Sequence, residues 1–235
     1  MNKVKVLAIA AKELRFGVFL YLSFFILTLV LTLYFSERYS FEFVSDKSMI
    51  DTNYAFMIGL FIHMVVFGTF MGSEKKEEKS NGYALLKQLP VNISEIIFGK
   101  YLAVFSAAIL ALLYTTIINR LFYSSYEISG FVQSYLFLTC SISLFVVGLL
   151  YMPATRKTYS SFVLPVIPLY MLILMLPNVL ALLLLIMGQE EQYDKLITAI
   201  AKMRFPTHLP VSVVFFWFCA WLASHSYKNK EVLTK

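Results

Sequence analysis

The sequence predicts an all-α integral membrane protein of six transmembrane helices, with an N-terminal amphipathic helix and a short helix between spans two and three. Three observations predict it. Six apolar runs fill most of the 235 residues, and each approaches the ~20 residues a helix needs to cross a ~30 Å hydrocarbon core. The runs are continuous, whereas barrel strands alternate, so helices remain as the structure that satisfies every backbone polar group in lipid. A mean hydropathy of +0.73 and a hydrophobic content of 59% exclude a soluble globular chain.

The first run is Phe16 to Phe35, the second Tyr54 to Gly72 and the third Tyr101 to Tyr123. The fourth is Phe131 to Met152, and the last is Leu209 to Tyr227. Phe162 to Met187 is the longest and holds Pro165, Pro168 and Pro177. Those prolines free backbone carbonyls and predict a kinked or broken helix. Lys3, Lys5, Lys12 and Arg15 precede the first run and no small-residue cleavage site follows it, so it reads as a retained anchor. In that leading segment Val4, Leu7, Ala8, Ala11 and Leu14 line one helical face, and Lys5 and Lys12 share another. Such a helix either lies on an anionic inner leaflet or continues the first span into water.

The connections are short. Ser36 to Asn53 is polar, with Glu37, Glu42, Asp46 and Asp51 against Arg38 and Lys47. Ser124 to Gly130 reads as a tight turn. Between Gly188 and His208, Leu196, Ile197, Ile200 and Met203 recur at helical spacing among Lys195, Lys202 and Arg204. An interfacial helix stopped by Pro206 is expected there. No repeat, low-complexity tract or linker divides the chain, so residues 1–235 form one membrane domain.

Orientation follows from lysine and arginine. Lys3, Lys5, Lys12, Arg15, Lys75, Lys76, Lys79, Lys87, Lys100, Arg156, Lys157, Lys228, Lys230 and Lys235 share one side. Only Arg38, Lys47, Arg120, Lys195, Lys202 and Arg204 fall on the other. The richer side is expected inside, with both termini cytoplasmic and the protein in the plasma membrane. The net charge of +6 is therefore a consequence of topology. No zinc-finger or basic-helix pattern points to nucleic acid as a partner. Cys140 and Cys219 both lie in apolar runs and read as inert buried thiols.

The loop from Ser73 to Lys100 carries the most chemistry. On a helix, Glu74, Glu77 and Glu78 fall opposite Lys75, Lys76 and Lys79. That places lysines toward lipid phosphates and glutamates toward a protein partner, or forms a plain solvated helix end. Ser80, Asn81 and Gly82 then break the helix. Tyr83 to Gln88 is a short helical piece presenting Tyr83, Leu85 and Leu86, stopped by Pro90. Exposed leucines in a cytoplasmic loop call for a partner surface. Asn92 and Glu95 stand at N-cap and N3 of the next helix.

Leu89, Pro90, Val91, Glu95, Ile96, Gly99 and Lys100 resemble the loop between the second and third spans of type-2 ABC exporter permeases. Many members carry Leu-Pro-Val-Ser/Thr-Arg, then Glu-Ile and Gly-Lys. Here Asn92 replaces the hydroxyl residue and Ile93 the arginine. The resemblance implies a half-transporter. Tyr83, Leu85, Leu86, Lys87, Leu89 and Pro90, with Glu77 and Glu78, would form the coupling helix that docks in an ABC-type ATPase subunit. The N-terminal helix would be the connecting helix. ATP and magnesium would belong to the partner ATPase, with no cofactor in this chain. Two permeases, identical or related, would pair around a central pathway.

Catalytic motifs are missing from the sequence. Gly99-Lys100 is followed by Tyr101 with no glycine at Walker A spacing, so no P-loop cradles ATP. Neither H-E-x-x-H nor G-x-S-x-G occurs, and no His/Cys set has zinc spacing. The chain is therefore expected not to be an enzyme and to hold no metal. Ionisable or amide groups at membrane depth are functional candidates by default. His63, Asn119, Arg120 and Asn178 are the pathway candidates, against the alternatives of interhelical bonding for His63 and snorkelling for Arg120. By analogy with small relatives of this type, the expected cargo is an amphipathic or antimicrobial-type peptide. Small drugs, ions and lipids are alternatives, as is a non-transporting membrane sensor or scaffold.

Overall fold

The computed structural model describes residues 1–41, 47–79, 92–122, 130–150, 179–180, 183–184, 186–202 and 208–231. These hold seven helices in chain order: α1 (Lys3–Phe16), α2 (Val18–Phe41), α3 (Lys47–Lys79), α4 (Ile93–Phe122), α5 (Gly130–Leu150), α6 (Glu190–Lys202) and α7 (His208–Glu231). Five stretches are long and apolar enough to cross a membrane: Val18–Glu37, Thr52–Gly72, Ser94–Phe122, Val132–Leu150 and His208–His225. They correspond to five of the six expected spans. The remaining run, Phe162 to Met187, lies mostly outside the described residues, as do the Ser124–Ser129 turn and Tyr83–Pro90.

The described spans pack as a helical bundle, and α4 touches α1, α2, α3, α5 and α7. Ala55, Ile58, Ile62, Val66 and Phe70 run down α3 and are all sealed from solvent. α3 packs most extensively on α5, then on α4 and α2. α7 closes the other side against α5 and α4. Tyr101 of α4 lies 4.9 Å, ring to ring, from Phe216 of α7, and its hydroxyl donates to the Gly148 carbonyl of α5 at 3.0 Å. That one side chain ties three spans together.

α2 is different. Phe19, Leu22, Ile26, Val30 and Leu33 follow helical spacing along an exposed stripe, Phe19 at 86%. This stripe is left uncovered by the other described helices. Helix also extends beyond the apolar runs at both sides of the first connection, to Phe41 in α2 and from Lys47 in α3. Ser36 to Asn53 is therefore shorter as a loop than its polar composition suggests.

α1 is a separate helix that ends at Gly17, whose amide donates back to the Leu14 carbonyl at 3.1 Å. It packs chiefly on α4. Its buried side is Val6, Ala10 and Glu13, while Val4, Leu7, Ala8 and Ala11 remain exposed and Leu14 is half-buried. The face expected from the sequence is thus the outward one. A second, protein-facing side lies opposite it.

Candidate functional site

Three clusters of polar side chains join helices in the bundle, one at each end and one within it. At the end where α1 lies, α4 begins with Asn92 outside the helix and Glu95 at N3, as the spacing predicts. Glu95 Oε2 accepts from the Asn92 backbone N–H at 3.1 Å, and the Glu95 amide donates to the Asn92 carbonyl at 2.8 Å. Its other oxygen, Oε1, accepts from the backbone N–H of Asn2 at 2.6 Å. Asn2 in turn caps α1: its side-chain oxygen accepts from the Val4 N–H at 3.0 Å. One turn further along α4 the two helices touch. A Cβ on Gly99 would lie 2.6 Å from Ile9 and 3.1 Å from the Val6 carbonyl oxygen, so glycine is required for this approach. Lys100, the next residue, is buried.

The expected partner-binding residues Tyr83, Leu85, Leu86, Lys87, Leu89 and Pro90 lie outside the described residues. Glu77 and Glu78 are on the last turns of α3, which runs to Lys79, but their side chains are outside the description. α3 and α4 therefore bracket the segment as helical extensions, in agreement with the helix predicted on each flank.

The pathway candidates occupy different places. His63 is fully buried between α3 and α5, with Nδ1 2.6 Å from Ser143 Oγ. The Ser143 hydroxyl also reaches the Thr139 carbonyl at 2.7 Å. A hydroxyl has one hydrogen to give. With that hydrogen on the Thr139 carbonyl, the hydrogen of the His63 contact sits on Nδ1. Asn119 is buried near the far end of α4, where its Oδ1 accepts from the Tyr54 hydroxyl of α3. Tyr54 also meets Thr32 Oγ1 of α2 at 3.0 Å. Arg120 is exposed beside it. Asn178 lies outside the described residues. His63 and Asn119 are thus held in separate interhelical contacts, at different depths.

At that far end, α6 lies against α5. Tyr193 is buried, and its hydroxyl is 3.1 Å from Thr52 Oγ1 at the start of α3. Leu196 packs on the core. Composition had marked Leu196 for this face. Tyr193, one turn earlier at the i−3 position, was open to the same reading. The tertiary role of Glu95 had no sequence counterpart, because Asn2 is distant along the chain.

Five helices long and apolar enough to cross a membrane, with buried polar groups bonded between them, define a multi-pass membrane protein. The chain belongs to the ABC-2 transporter family: the profile described as "ABC-2 family transporter protein" matches residues 46–227, from before α3 to the last turns of α7. Proteins of this family are the membrane component of transporters and pair with an ABC ATPase subunit. No curated protein matches the chain.

Proposed function

We propose that this chain is the permease subunit of an ATP-driven exporter, coupled to a separate ATPase through the Tyr83–Pro90 segment. The family match over residues 46–227 carries the reading. The local support is the pair of helices, α3 ending at Lys79 and α4 starting beside Asn92, that flank the segment. Closure of the ATPase pair pushes the segment, and the push rocks α3 and α4 to alternate access. Both termini and the segment face the cytosol, in the plasma membrane. Two permeases assemble around the pathway. His63 and Asn119 reach it when α3 moves relative to α5 and α4, with Arg120 at its outer rim and Asn178 along the proline-interrupted run. The proposed cargo is an amphipathic peptide, by analogy with small relatives of this type.

Leu85→Asp tests this reading. It sets a charge where a desolvated ATPase cleft is expected. Burying an unpaired charge costs several kcal/mol, and each ~1.4 kcal/mol is tenfold in affinity. Co-purification of the ATPase with tagged permease should fall at least tenfold at that scale, while the permease still inserts and purifies. Undiminished co-purification and ATP hydrolysis would show that the segment does not couple.

A further inference from the structure

We infer that the outward face of α7 binds an anionic phospholipid, with its acyl chains along Val211, Val214, Phe218 and Trp221 and its phosphate at His225 and Lys228. The inference goes beyond the permease reading and does not depend on it. Those four apolar residues recur at helical spacing and are all more than half exposed. The other side of α7, with Phe216, Cys219, Ala220 and Ala223, is buried against α4 and α5. Pro210 and Phe215 complete a shallow groove with Val211, Val214 and Phe218. The apolar turns that end at Met187 lead through Gly188 into α6, where Tyr193 meets Thr52 of α3. α3 packs chiefly on α5, α4 and α2. The chain before α6 therefore reaches the bundle beside α3, and the α7 face is left to lipid.

The face has the depth and the polarity of one leaflet. From Val211 to Trp221 a helix rises about 15 Å at ~1.5 Å per residue, half of a ~30 Å hydrocarbon core. The second half of α7 meets the first turns of α4, with Trp217 stacked on Phe98 at 6.3 Å. The residues that follow thus lie at the end of the bundle where α1 sits. The apolar window closes there, at His225. His225 is exposed and stacks on Trp221, with ring centres 5.9 Å apart and 13° between the planes. An indole at this depth marks the boundary with the headgroups, and the imidazole stands beyond it. Helix continues to Glu231, which sets Lys228 on the same face and Lys230 and Glu231 on others. Imidazole carries an N–H in either protonation state, and lysine is a cation with three donors. Both suit a phosphate oxygen. A zwitterionic lipid brings its own cation to that place, whereas an anionic one does not, so the anionic headgroup is favoured.

Trp221 itself reports the occupant. The chain has two tryptophans, and Trp217→Phe leaves Trp221 alone. That full-length permease is placed in phosphatidylcholine nanodiscs. A minor fraction of phosphatidylglycerol or of phosphatidylcholine is added, brominated near the headgroup end of its chains. Brominated phosphatidylglycerol should quench Trp221 with about fivefold higher apparent affinity, the worth of one basic residue at an anionic surface. Unbrominated phosphatidylglycerol should relieve that quenching, a readout that needs no substitution in the basic end. His225→Ala combined with Lys228→Ala should abolish the preference while both lipids still quench. Lys3→Ala combined with Arg15→Ala, at exposed positions of α1, should leave the preference intact. Equal quenching by the two lipids overturns the inference, because the face then takes lipid without regard to headgroup. Loss of the preference in the α1 variant also overturns it, because the charge of the whole end is then responsible. Absence of quenching by either lipid overturns it too, because protein then covers the face.

Discussion

His63 sits at membrane depth, where an imidazole without a partner costs several kcal/mol. Ser143 supplies the partner, and the Thr139 carbonyl orients the Ser143 hydroxyl. Phe67, one turn on along α3, lies with its ring centre 6.1 Å from that of His63 and tilted 34° to it. Removing a fully buried ring leaves a cavity. His63→Ala should therefore destabilise the bundle by about 2–4 kcal/mol, in the range of large-to-alanine changes in cores. Unfolding of the purified permease in detergent or lipid measures it. Combining His63→Ala with Ser143→Ala should give a coupling energy of about 0.6 kcal/mol, and no more than ~1.7. Strict additivity would show the contact to be incidental. His63 stood out in the sequence as a histidine in the middle of an apolar run. Its partner did not, because serines recur along the fourth run and only packing chooses one.

On α6, Leu196 packs on the bundle as its spacing predicts, whereas the side chains of Ile197 and Ile200, and Met203 altogether, lie outside the described residues. The apolar residues of α6 recur at helical spacing, and its polar side carries Glu190, Glu191, Asp194 and Lys195, with Lys195 bonded to Glu191 at 2.5 Å. The chain turns into it through Gly188, whose φ of +67° lies in the left-handed region that favours glycine. What holds α6 against the bundle is Tyr193 together with Leu196. Tyr193→Phe keeps the ring and deletes the hydroxyl bond to Thr52, a loss of about 0.5–1.5 kcal/mol. Amide exchange within Glu190–Lys202 should rise about fivefold, as ~1 kcal/mol implies for a local opening. Unchanged exchange would mean that apolar packing alone retains the helix. α1 was half legible. Val4, Leu7, Ala8 and Ala11 form a visible apolar face, yet the residues that pack are Val6 and Ala10. Apolar residues lie on both sides because one meets protein and the other faces outward.

For the whole molecule, the basic residues predict the side each end occupies. Cysteines placed singly at Met1, Glu77, Arg156 and Lys235, in a background lacking Cys140 and Cys219, should resist an impermeant maleimide in intact cells. Cysteines at Asp46 and Gln192 should react. Labelling at Glu77 would invert the topology and remove the loop from the ATPase side. Burial separates the spans in a way their apolar content does not. Over the spanning windows α2 is 22% buried, while α3, α4 and α5 are each 56% buried. Yet α2 has the highest mean hydropathy of the five, 2.3. The most apolar span is the one least covered by the rest of the chain.

The sequence by itself determined that the chain is a helical membrane protein, where five described spans lie, and where the α4 cap forms. These depend on local facts: run length against bilayer thickness, and an N-cap with its N3 glutamate a turn away. Tertiary structure alone decided which face of each span packs. Lipid tails are as apolar as leucine, so burial in protein leaves no hydrophobic imprint to read. The imprint that remains is polar: Thr32, Thr69, Thr115, Thr139 and Ser143 all point inward. Tertiary structure also decided the partners of His63, Asn119, Tyr193 and Glu95. Each forms a hydrogen bond with a residue far along the chain, and the geometry of such a bond exists only once the helices have met.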